Sequence, residues 1–290
     1  MGIRLLLIWA SGSIEKGAKN TKMRYFGLIW IIVIVLHTLS IPCLHALEGE
    51  LRTIPTRPGV TQSFLLIRPA NKPTTSVILF AGAHGRLALS PQGIGWGEGN
   101  FLVRNRERFA QQGLLVAVID APSDRPQGLW NFRTSAAHAE DIKRVIAELK
   151  KILDIHVWLI GTSMGTISAA NAAARLKRDG PDGLVLTSSV TKESRQVSET
   201  VNNVRLKDIR VPTLIVHHKQ DDCVVTPYEL AVALMRSLTQ TPNKELLTFS
   251  GGNPSVSDPC GEMSSHGFLG LDAEVIAAIT SWIKAVHGSR

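Results

Sequence analysis

The pentapeptide GTSMG at residues 161–165 constrains the fold of this chain more than any other feature. It follows the apolar run 157–160 and precedes an alanine-rich stretch at residues 167–176, so the sequence predicts a strand, a sharp turn and a helix. Gly161 and Gly165 leave room for a crowded turn that pushes the hydroxyl of Ser163 outward. Because Gly-x-Ser-x-Gly also arises by chance in turns, the surrounding elements decide what it means.

Apolar runs with strand character alternate with helical patterns along most of the chain. This alternation is typical of an α/β fold, in which a mostly parallel central sheet is covered by helices on both faces. The strand candidates are residues 63–68, 76–81, 114–120, 157–161, 183–188, 212–217 and 245–249, and the helix candidates are residues 101–112, 135–153, 164–177, 227–238 and 272–286.

Two further segments carry side chains suited to activate a serine. Asp221 and Asp222 follow the strand candidate 212–217, and His266 lies in a loop before the last helix candidate. A carboxylate can orient a histidine, which can in turn take a proton from a hydroxyl. Neighbouring side chains at an extended strand end point in opposite directions, so only one of the two carboxylates can serve. Asp221 is the preferred acid, and Asp222 is the alternative.

The segment from about residue 63 to 286 resembles the α/β-hydrolase fold family, in particular its small secreted bacterial serine hydrolases. The resemblance rests on the 161–165 turn, the acid at a strand end, the His266-Gly267-Phe268 loop and the run at residues 77–85, which is similar to the family's oxyanion-hole loop. The polar stretch at residues 189–211 is too short for a helical cap domain. We therefore expect an α/β-hydrolase fold with no large lid.

The resemblance also implies a chemistry. Ser163 would attack a carbonyl carbon, His266 would transfer the proton, and Asp221 would orient the imidazole. The backbone N–H groups of Met164 and Ala83 would meet the negative charge on the tetrahedral oxygen. The resemblance implies no metal and no cofactor, and the first expectation is hydrolysis of a carboxylic ester. A peptidase or amidase, and an inert binding protein of the same fold, are the alternatives.

The first 46 residues have the layout of a secretory signal peptide. Basic residues precede an uncharged run at residues 26–36, and a region of small and polar residues ends near Ala46. A start at Met23 would give a more compact signal. We predict export to the periplasm or the outside, with a single domain at residues 47–290. Because Leu44 lies where a small residue is preferred, an uncleaved membrane anchor at residues 26–46 is the alternative.

The cysteines bear on the same compartment. Removal of a signal peptide would take away Cys43 and leave Cys223 and Cys260 in an oxidising environment. A disulfide between them is the first prediction, and two free thiols or a metal pair is the alternative. A bridge would connect the Asp221 turn to the His266 loop and would stabilise the fold by about 4 kcal/mol on the chain-entropy account.

Charge gives little information about partners. The net charge is +8, and the first 46 residues contribute half of it. The remaining basic residues are scattered and not interleaved with aromatic residues, which argues against nucleic-acid binding. We expect a small-molecule acyl substrate, and membrane contact only if the N-terminal segment is retained. The sequence leaves the oligomeric state open.

Several other residues are weaker candidates for function. His217 and His218 face opposite ways on an extended segment, so we expect structural roles rather than a metal pair. His138 is expected on a helix surface. Trp96 and Trp130 lie in loops at the sheet edge where α/β proteins bind ligands, and they either line an acyl pocket or only pack within their loops.

Overall fold

The computed structural model describes residues 49–288 of the chain. The predicted signal peptide at residues 1–46, the alternative start at Met23 and Cys43 lie outside these residues. One open sheet of eight strands forms the centre of the described part. Its strands are β1 Glu50–Arg57, β2 Val60–Ile67, β3 Thr75–Phe80, β4 Leu115–Ile119, β5 His156–Thr162, β6 Gly183–Thr187, β7 Thr213–His218 and β8 Lys244–Phe249.

The strand order across the sheet is β1-β2-β4-β3-β5-β6-β7-β8. β1 and β2 form a hairpin, and β2 runs antiparallel to β4. All other neighbouring pairs are parallel. Parallel neighbours need long crossover connections. α-Helices lie in these connections, except between β6 and β7, where the connection contains two short 3-10 helices. The prediction of a mostly parallel sheet is therefore confirmed.

Six α-helices occur within residues 49–288. The predicted helix at residues 101–112 is divided at Asn105, whose backbone (φ −100°, ψ 7°) leaves the helical region and whose side-chain amide donates to Phe101 O at 2.8 Å. No helix in this part of the chain combines the length and hydropathy needed to cross a bilayer. The helices are α1 Phe101–Arg104, α2 Arg106–Gln111, α3 Ala136–Ile152, α4 Gly165–Leu176, α5 Tyr228–Ser237 and α6 Asp272–Gly288.

The helices cover both faces of the sheet. Successive side chains of a strand point to opposite faces, so a strand inside the sheet contributes to two apolar clusters. In β3, Ile78 and Phe80 pack in one cluster with α3, α4 and α5. Val77 and Leu79 pack in the other cluster with α1, α2 and α6. Strands buried on both faces carry few polar residues, which is why the central strands stand out in the sequence as apolar runs.

β1 is the strand that the sequence pattern did not predict. Most of its side chains are half-buried or exposed, so it lacks an apolar run. It lies at the edge of the sheet, where proline is tolerated, and its pairing with β2 shifts register between Pro55 and Arg57. Arg57 anchors this edge through an ion pair at 2.9 Å with the buried Asp141 of α3.

The carboxyl ends of the parallel strands meet at one edge of the sheet. Four segments follow these strand ends. They are the loop after β3, the turn after β5, the segment with Ser188 after β6 and the segment with Asp221 after β7. This edge is where open α/β sheets bind ligands. It brings together polar residues from segments that are far apart in the sequence.

Candidate active site

Ser163 occupies a strained turn between β5 and α4. Its φ of +52° lies in the left-handed region, which costs a non-glycine residue of the order of 1 kcal/mol. A Cβ at residue 161 would collide with the carbonyl of Gly165, and a Cβ at residue 165 would collide with the carbonyl of Phe80. Both glycines are therefore required by backbone contacts, as the spacing of the motif predicts. The turn leaves the Ser163 side chain half-buried at the ligand-binding edge.

Hydrogen bonds fix the backbone of this turn. The Ser163 N–H donates to Thr187 O of β6 at 3.0 Å. The Ser163 carbonyl accepts from the hydroxyl of Thr166 at 2.6 Å and from its N–H at 3.1 Å. The strained φ is thus held by partners on both sides, so the serine is presented in one orientation.

The loop after β3 passes directly against the serine. A Cβ at residue 82 would lie 2.9 Å from Ser163 Cβ, so only glycine fits there. The next residue, Ala83, is exposed and has a φ of +46°. Among the described residues, neither the N–H of Ala83 nor that of Met164 donates a hydrogen bond to a protein acceptor. Both groups are thus free to bind a negatively charged oxygen beside Ser163.

Asp221 and His266 are in direct contact. His266 Nδ1 lies 3.0 Å from Asp221 Oδ2, and both residues are buried. Asp221 also accepts from the N–H of Cys223 at 3.0 Å and from the hydroxyl of Thr226 at 2.9 Å. Burial alone would raise the pKa of Asp221, but the hydrogen bond and charge of His266 and the charge of His217 lower it below its ordinary value. Asp221 is therefore ionised and holds the ring by its Nδ1 side.

Asp222 lies apart from this contact. Its side chain is exposed and lies on the wall of a small surface cavity with Ser255 and Pro259. No hydrogen bond or ion pair joins it to His266 within residues 49–288. Of the two adjacent carboxylates, the structure brings Asp221 to the histidine.

The His266 loop is fixed at the same edge of the sheet as Ser163. The His266 carbonyl accepts from Ser188 Oγ at 2.8 Å. Ser188 directly follows Thr187, whose carbonyl accepts from the Ser163 N–H. The His266 N–H donates to Ser264 Oγ at 3.1 Å. No hydrogen bond joins Ser163 Oγ to the His266 ring in the described residues. Catalytic hydrogen bonds are often long in ligand-free proteins and shorten when substrate binds.

Thr226 and His217 complete the surroundings of Asp221, and sequence reasoning assigned neither of them to the site. The Thr226 hydroxyl lies 3.2 Å from His266 Nδ1 as well as beside Asp221, and its carbonyl lies 2.8 Å from His217 Nε2. Burial lowers the pKa of His217 despite the nearby charge of Asp221. No sequence pattern marks Thr226 as a partner of Asp221, because the two residues meet only when the loop after β7 folds back over the end of that strand.

The predicted disulfide between Cys223 and Cys260 is present. Cys223 donates its N–H to Asp221, so the bridge connects the acid's own turn to the segment that leads to His266. The sulfur of Cys223 lies near Asp221 and His266, but it is bonded to Cys260 and offers no thiolate. The alternatives of free thiols or a metal pair are therefore wrong.

A cavity of about 160 Å³ lies beside Met164, the residue after Ser163. Trp130 lies on its wall and is 48% exposed, whereas Trp96 is not part of that wall. A larger cavity of about 990 Å³ is lined by Thr75 and His156, at the opposite ends of β3 and β5 from the serine. Of these two cavities, the smaller one is beside the Ser163 turn. Its wall consists of Trp130, Asn131, Met164, Gln196, Val197, Ser198 and Glu199.

Three further histidines in the described part of the chain have structural partners. His84 Nδ1 accepts from the N–H of Arg86 at 3.0 Å, and His218 Nε2 lies 3.0 Å from Gly251 O. The expectation that His138 lies on a helix surface is wrong. It is 1% exposed, and its Nε2 lies 2.9 Å from Ser168 Oγ. Burial, followed by the charges of nearby arginines, lowers the pKa of His138 to about 3, so its ring is neutral.

Several solved structures have a similar architecture. A serine hydrolase homologue from Coxiella burnetii is 18% identical with a TM-score of 0.56, over 82% of this chain and 98% of that chain. An esterase from Pyrococcus furiosus is 16% identical with a TM-score of 0.59, over 82% and 93%. A dienelactone hydrolase from Anabaena variabilis is 17% identical with a TM-score of 0.53, over 82% and 98%.

No protein-family model matches the sequence, and no curated protein matches it significantly. The similarity to the solved structures extends over nearly their whole lengths, and at these identities it concerns the fold. The strand order, the helices on both faces and the turn at Ser163 agree with it. The chain therefore has the α/β-hydrolase fold.

Proposed function

We propose that this protein is a serine hydrolase that cleaves a carboxylic ester through Ser163, His266 and Asp221. One observation carries the proposal. Ser163 is held at a left-handed φ beside two backbone N–H groups, those of Ala83 and Met164, that have no acceptor among residues 49–288. Strained backbone next to free donors is typical of a site that stabilises an oxyanion.

The reaction follows from the groups at the site. Ser163 Oγ attacks the carbonyl carbon of the ester while its proton passes to His266. The tetrahedral oxygen accepts hydrogen bonds from the N–H groups of Ala83 and Met164. As the bond between the carbonyl carbon and the alcohol oxygen breaks, His266 returns the proton to the departing alcohol. Water then attacks the acyl-enzyme by the same steps and releases the acid.

Asp221 supports both proton transfers. Its carboxylate accepts from His266 Nδ1, which fixes the ring tautomer and stabilises the imidazolium when the proton arrives. Because its pKa is lowered, the carboxylate stays charged at neutral pH. Thr226 and Cys223 occupy its other acceptor positions and so orient it towards the histidine.

The cavity beside Met164 favours a small substrate group. Pockets for drug-sized ligands are about 300–1,000 Å³, and this cavity of about 160 Å³ is smaller. We propose a short acyl or compact aromatic group there, against Trp130. Two of the similar structures are named an esterase and a dienelactone hydrolase, and these names support an ester substrate because a lactone is a cyclic ester.

Export is part of the proposal. The Cys223–Cys260 disulfide supports an oxidising compartment, since such bonds rarely persist in a reducing cytosol. We propose that residues 1–46 direct export to the periplasm or the outside. Retention of residues 26–46 as an anchor is the alternative. N-terminal sequencing of the exported protein separates them, because cleavage would place the new terminus near residue 47.

The function is tested by labelling the folded, oxidised protein with a fluorophosphonate, which reacts with activated serines. We expect one adduct, mapped to the peptide with Ser163 and missing in Ser163→Ala. Matched nitrophenyl esters and nitroanilides of increasing acyl length then test the substrate class, with faster turnover expected for short esters. Labelling that survives Ser163→Ala, or no labelling of folded protein, would contradict the proposal, and the second result would favour an inert binding protein.

A further inference from the structure

Arg133 joins the two elements that carry the proposed oxyanion donors. It lies in the loop before α3 and is fully buried. One end of its guanidinium group, Nη1, donates to Ser168 Oγ of α4 at 2.8 Å. The other end, Nη2, donates to Ala83 O at 2.9 Å and to Ala81 O at 3.4 Å. The helix that begins after Met164 and the loop that holds Ala83 are thus tied to one rigid planar group.

These bonds bear on the direction of the Ala83 N–H. Arg133 holds the carbonyls of Ala81 and Ala83, and the carbonyl between them, that of Gly82, accepts from the N–H of Gly85 at 3.0 Å. In a trans peptide the N–H points away from the preceding carbonyl. The Gly82 carbonyl is fixed by Gly85, and the carbonyls on either side of it are fixed by Arg133, so the Ala83 N–H is held pointing away from Gly82 O. Two of the three hydrogen bonds that orient this peptide segment therefore come from Arg133.

The surroundings of Arg133 are costly for a purely structural residue. No carboxylate within residues 49–288 lies within ion-pair distance, and only the more distant charge of Glu199 offsets the burial. Burial lowers the pKa of Arg133 to about 10, so the group is still charged at neutral pH. A Cβ at residue 85 would collide with Nη2, so a glycine there makes room for it. Buried unpaired charge is unfavourable and is often retained for function.

The helix end of this link is also fixed. Ser168 Oγ lies 2.9 Å from Nε2 of the buried His138, so the hydroxyl that accepts from Arg133 has a second partner. The His138 ring is neutral and adds no charge to the cluster. The hydrogen bonds run from Ala83 through Arg133 and Ser168 to His138, which is near the start of α3.

We infer that Arg133 is a positioning residue that sets the distance and orientation of the two halves of the proposed oxyanion hole. The inference rests on the proposed function and extends it. Because it is buried, Arg133 acts through the peptides of Ala81 and Ala83. Its loss would misplace one donor relative to the other, and misplacement by about 1 Å can cost roughly a hundredfold in rate.

The test compares Arg133→Met and Arg133→Lys with a matched control, Arg175→Met. Arg175 lies on α4 and also joins that helix to the loop before α3, because it donates to Thr134 O. It also donates to Asn171 Oδ1, and among the described residues it makes no hydrogen bond to residues 81–83. We expect kcat for a short ester to fall about 10- to 100-fold in Arg133→Met, with KM within about threefold. Arg133→Lys keeps the charge, loses the planar fork and should fall less. Arg175→Met should keep the wild-type kcat.

A second readout separates positioning from loss of structure. A boronic acid inhibitor mimics the tetrahedral state, so its affinity should fall by the same factor as kcat/KM in Arg133→Met. Folded Arg133→Met with wild-type kcat and boronate affinity would overturn the inference. If Arg133→Met does not fold, Ser168→Ala removes one acceptor of the link, and an unchanged kcat in that variant would overturn it. Wild-type protein that fluorophosphonate does not label would instead overturn the proposed function itself.

Discussion

The two halves of the candidate site are built in different ways. The serine half, at the ends of β3 and β5, depends on backbone contacts, since added Cβ atoms at residues 161 and 165 would meet carbonyl groups and one at residue 82 would meet Ser163 Cβ. The acid half, at the end of β7, depends on side chains and a disulfide that join Asp221, Thr226 and His266. Both halves bring distant segments of the chain together, but the serine half does so through backbone atoms and the acid half mainly through side chains.

The strongest test asks whether both halves act in one reaction. Ser163→Ala and His266→Ala should each lower kcat by about five to six orders of magnitude, because a serine and its base work as a unit. Combining them should cost no more than either alone. Circular dichroism and thermal unfolding serve as the folding control. If the double variant were far worse than each single one, the two residues would act separately.

Within the acid half, substitutions of the adjacent residues Asp221 and Asp222 should affect kcat very differently. Asp221→Asn should lower kcat by about four orders of magnitude, since an amide favours the wrong tautomer of the His266 ring. Asp222→Asn is the matched control, and because its side chain is exposed it should keep activity within a few-fold. Ester hydrolysis under identical conditions measures both. A reversed order would assign the acid role to Asp222.

Removing the disulfide of the acid half should lower the stability of the whole fold. The double variant Cys223→Ser/Cys260→Ser should lose about 4 kcal/mol of unfolding free energy, because the unfolded chain regains the freedom of a closed loop. Urea unfolding with and without reductant measures this loss. Reductant should destabilise the wild-type protein to the same extent and leave the double variant unchanged. Equal stability of oxidised and reduced wild-type protein would contradict a structural bridge.

The serine half should respond instead to a single methyl group. Gly165→Ala places a Cβ against the carbonyls of Phe80 and Ala81, and backbone cannot move aside as a side chain can. We expect a loss of about 1–3 kcal/mol in unfolding free energy, as for overpacked cores, together with reduced fluorophosphonate labelling. Wild-type stability and labelling in this variant would show that the turn is less crowded than the contacts indicate.

The smallest expected effect is a pH dependence that belongs to Asp221. Its pKa is lowered in the folded state from 3.8, so its ionised form stabilises the fold above that pH, and this stabilisation disappears as pH falls below it. The unfolding free energy of the wild-type protein should therefore fall more steeply below about pH 4 than that of Asp221→Asn. The exposed Asp222→Asn variant should follow the wild type. Parallel curves for all three proteins would show that Asp221 is not linked to folding.

The difference between local sequence patterns and contacts that form only in the fold explains what the sequence predicts well. Apart from β1, the sequence predicts the other seven strands and the turn at Ser163 because short apolar runs and a five-residue motif are local patterns. β1 was missed because an exposed edge strand with Pro55 has no such pattern. Asn105 divides a helix through its own backbone and side chain, which the apolar periodicity of residues 101–112 does not reveal.

The site shows the same limit. Arg133 and Thr226 acquire their roles from contacts with segments about 40 to 50 residues away, and no spacing in the sequence announces them. For His138 a signal existed, since it continues the stripe of Ile142, Val145 and Leu149 at helical spacing. Its burial was therefore predictable, but its partner on α4 was not.

The carbonyl contacts around Gly161 and Gly165 also limit how this protein can change over evolution or in the laboratory. A side chain that is too large can be accommodated when a neighbouring side chain is shortened, but a carbonyl oxygen cannot be removed by substitution. Second-site suppressors should therefore be rare for these two positions and common around Asp221, because every partner of its carboxylate except the Cys223 N–H is a side chain. Redesign of this scaffold should keep the serine turn and vary the acid and its supports.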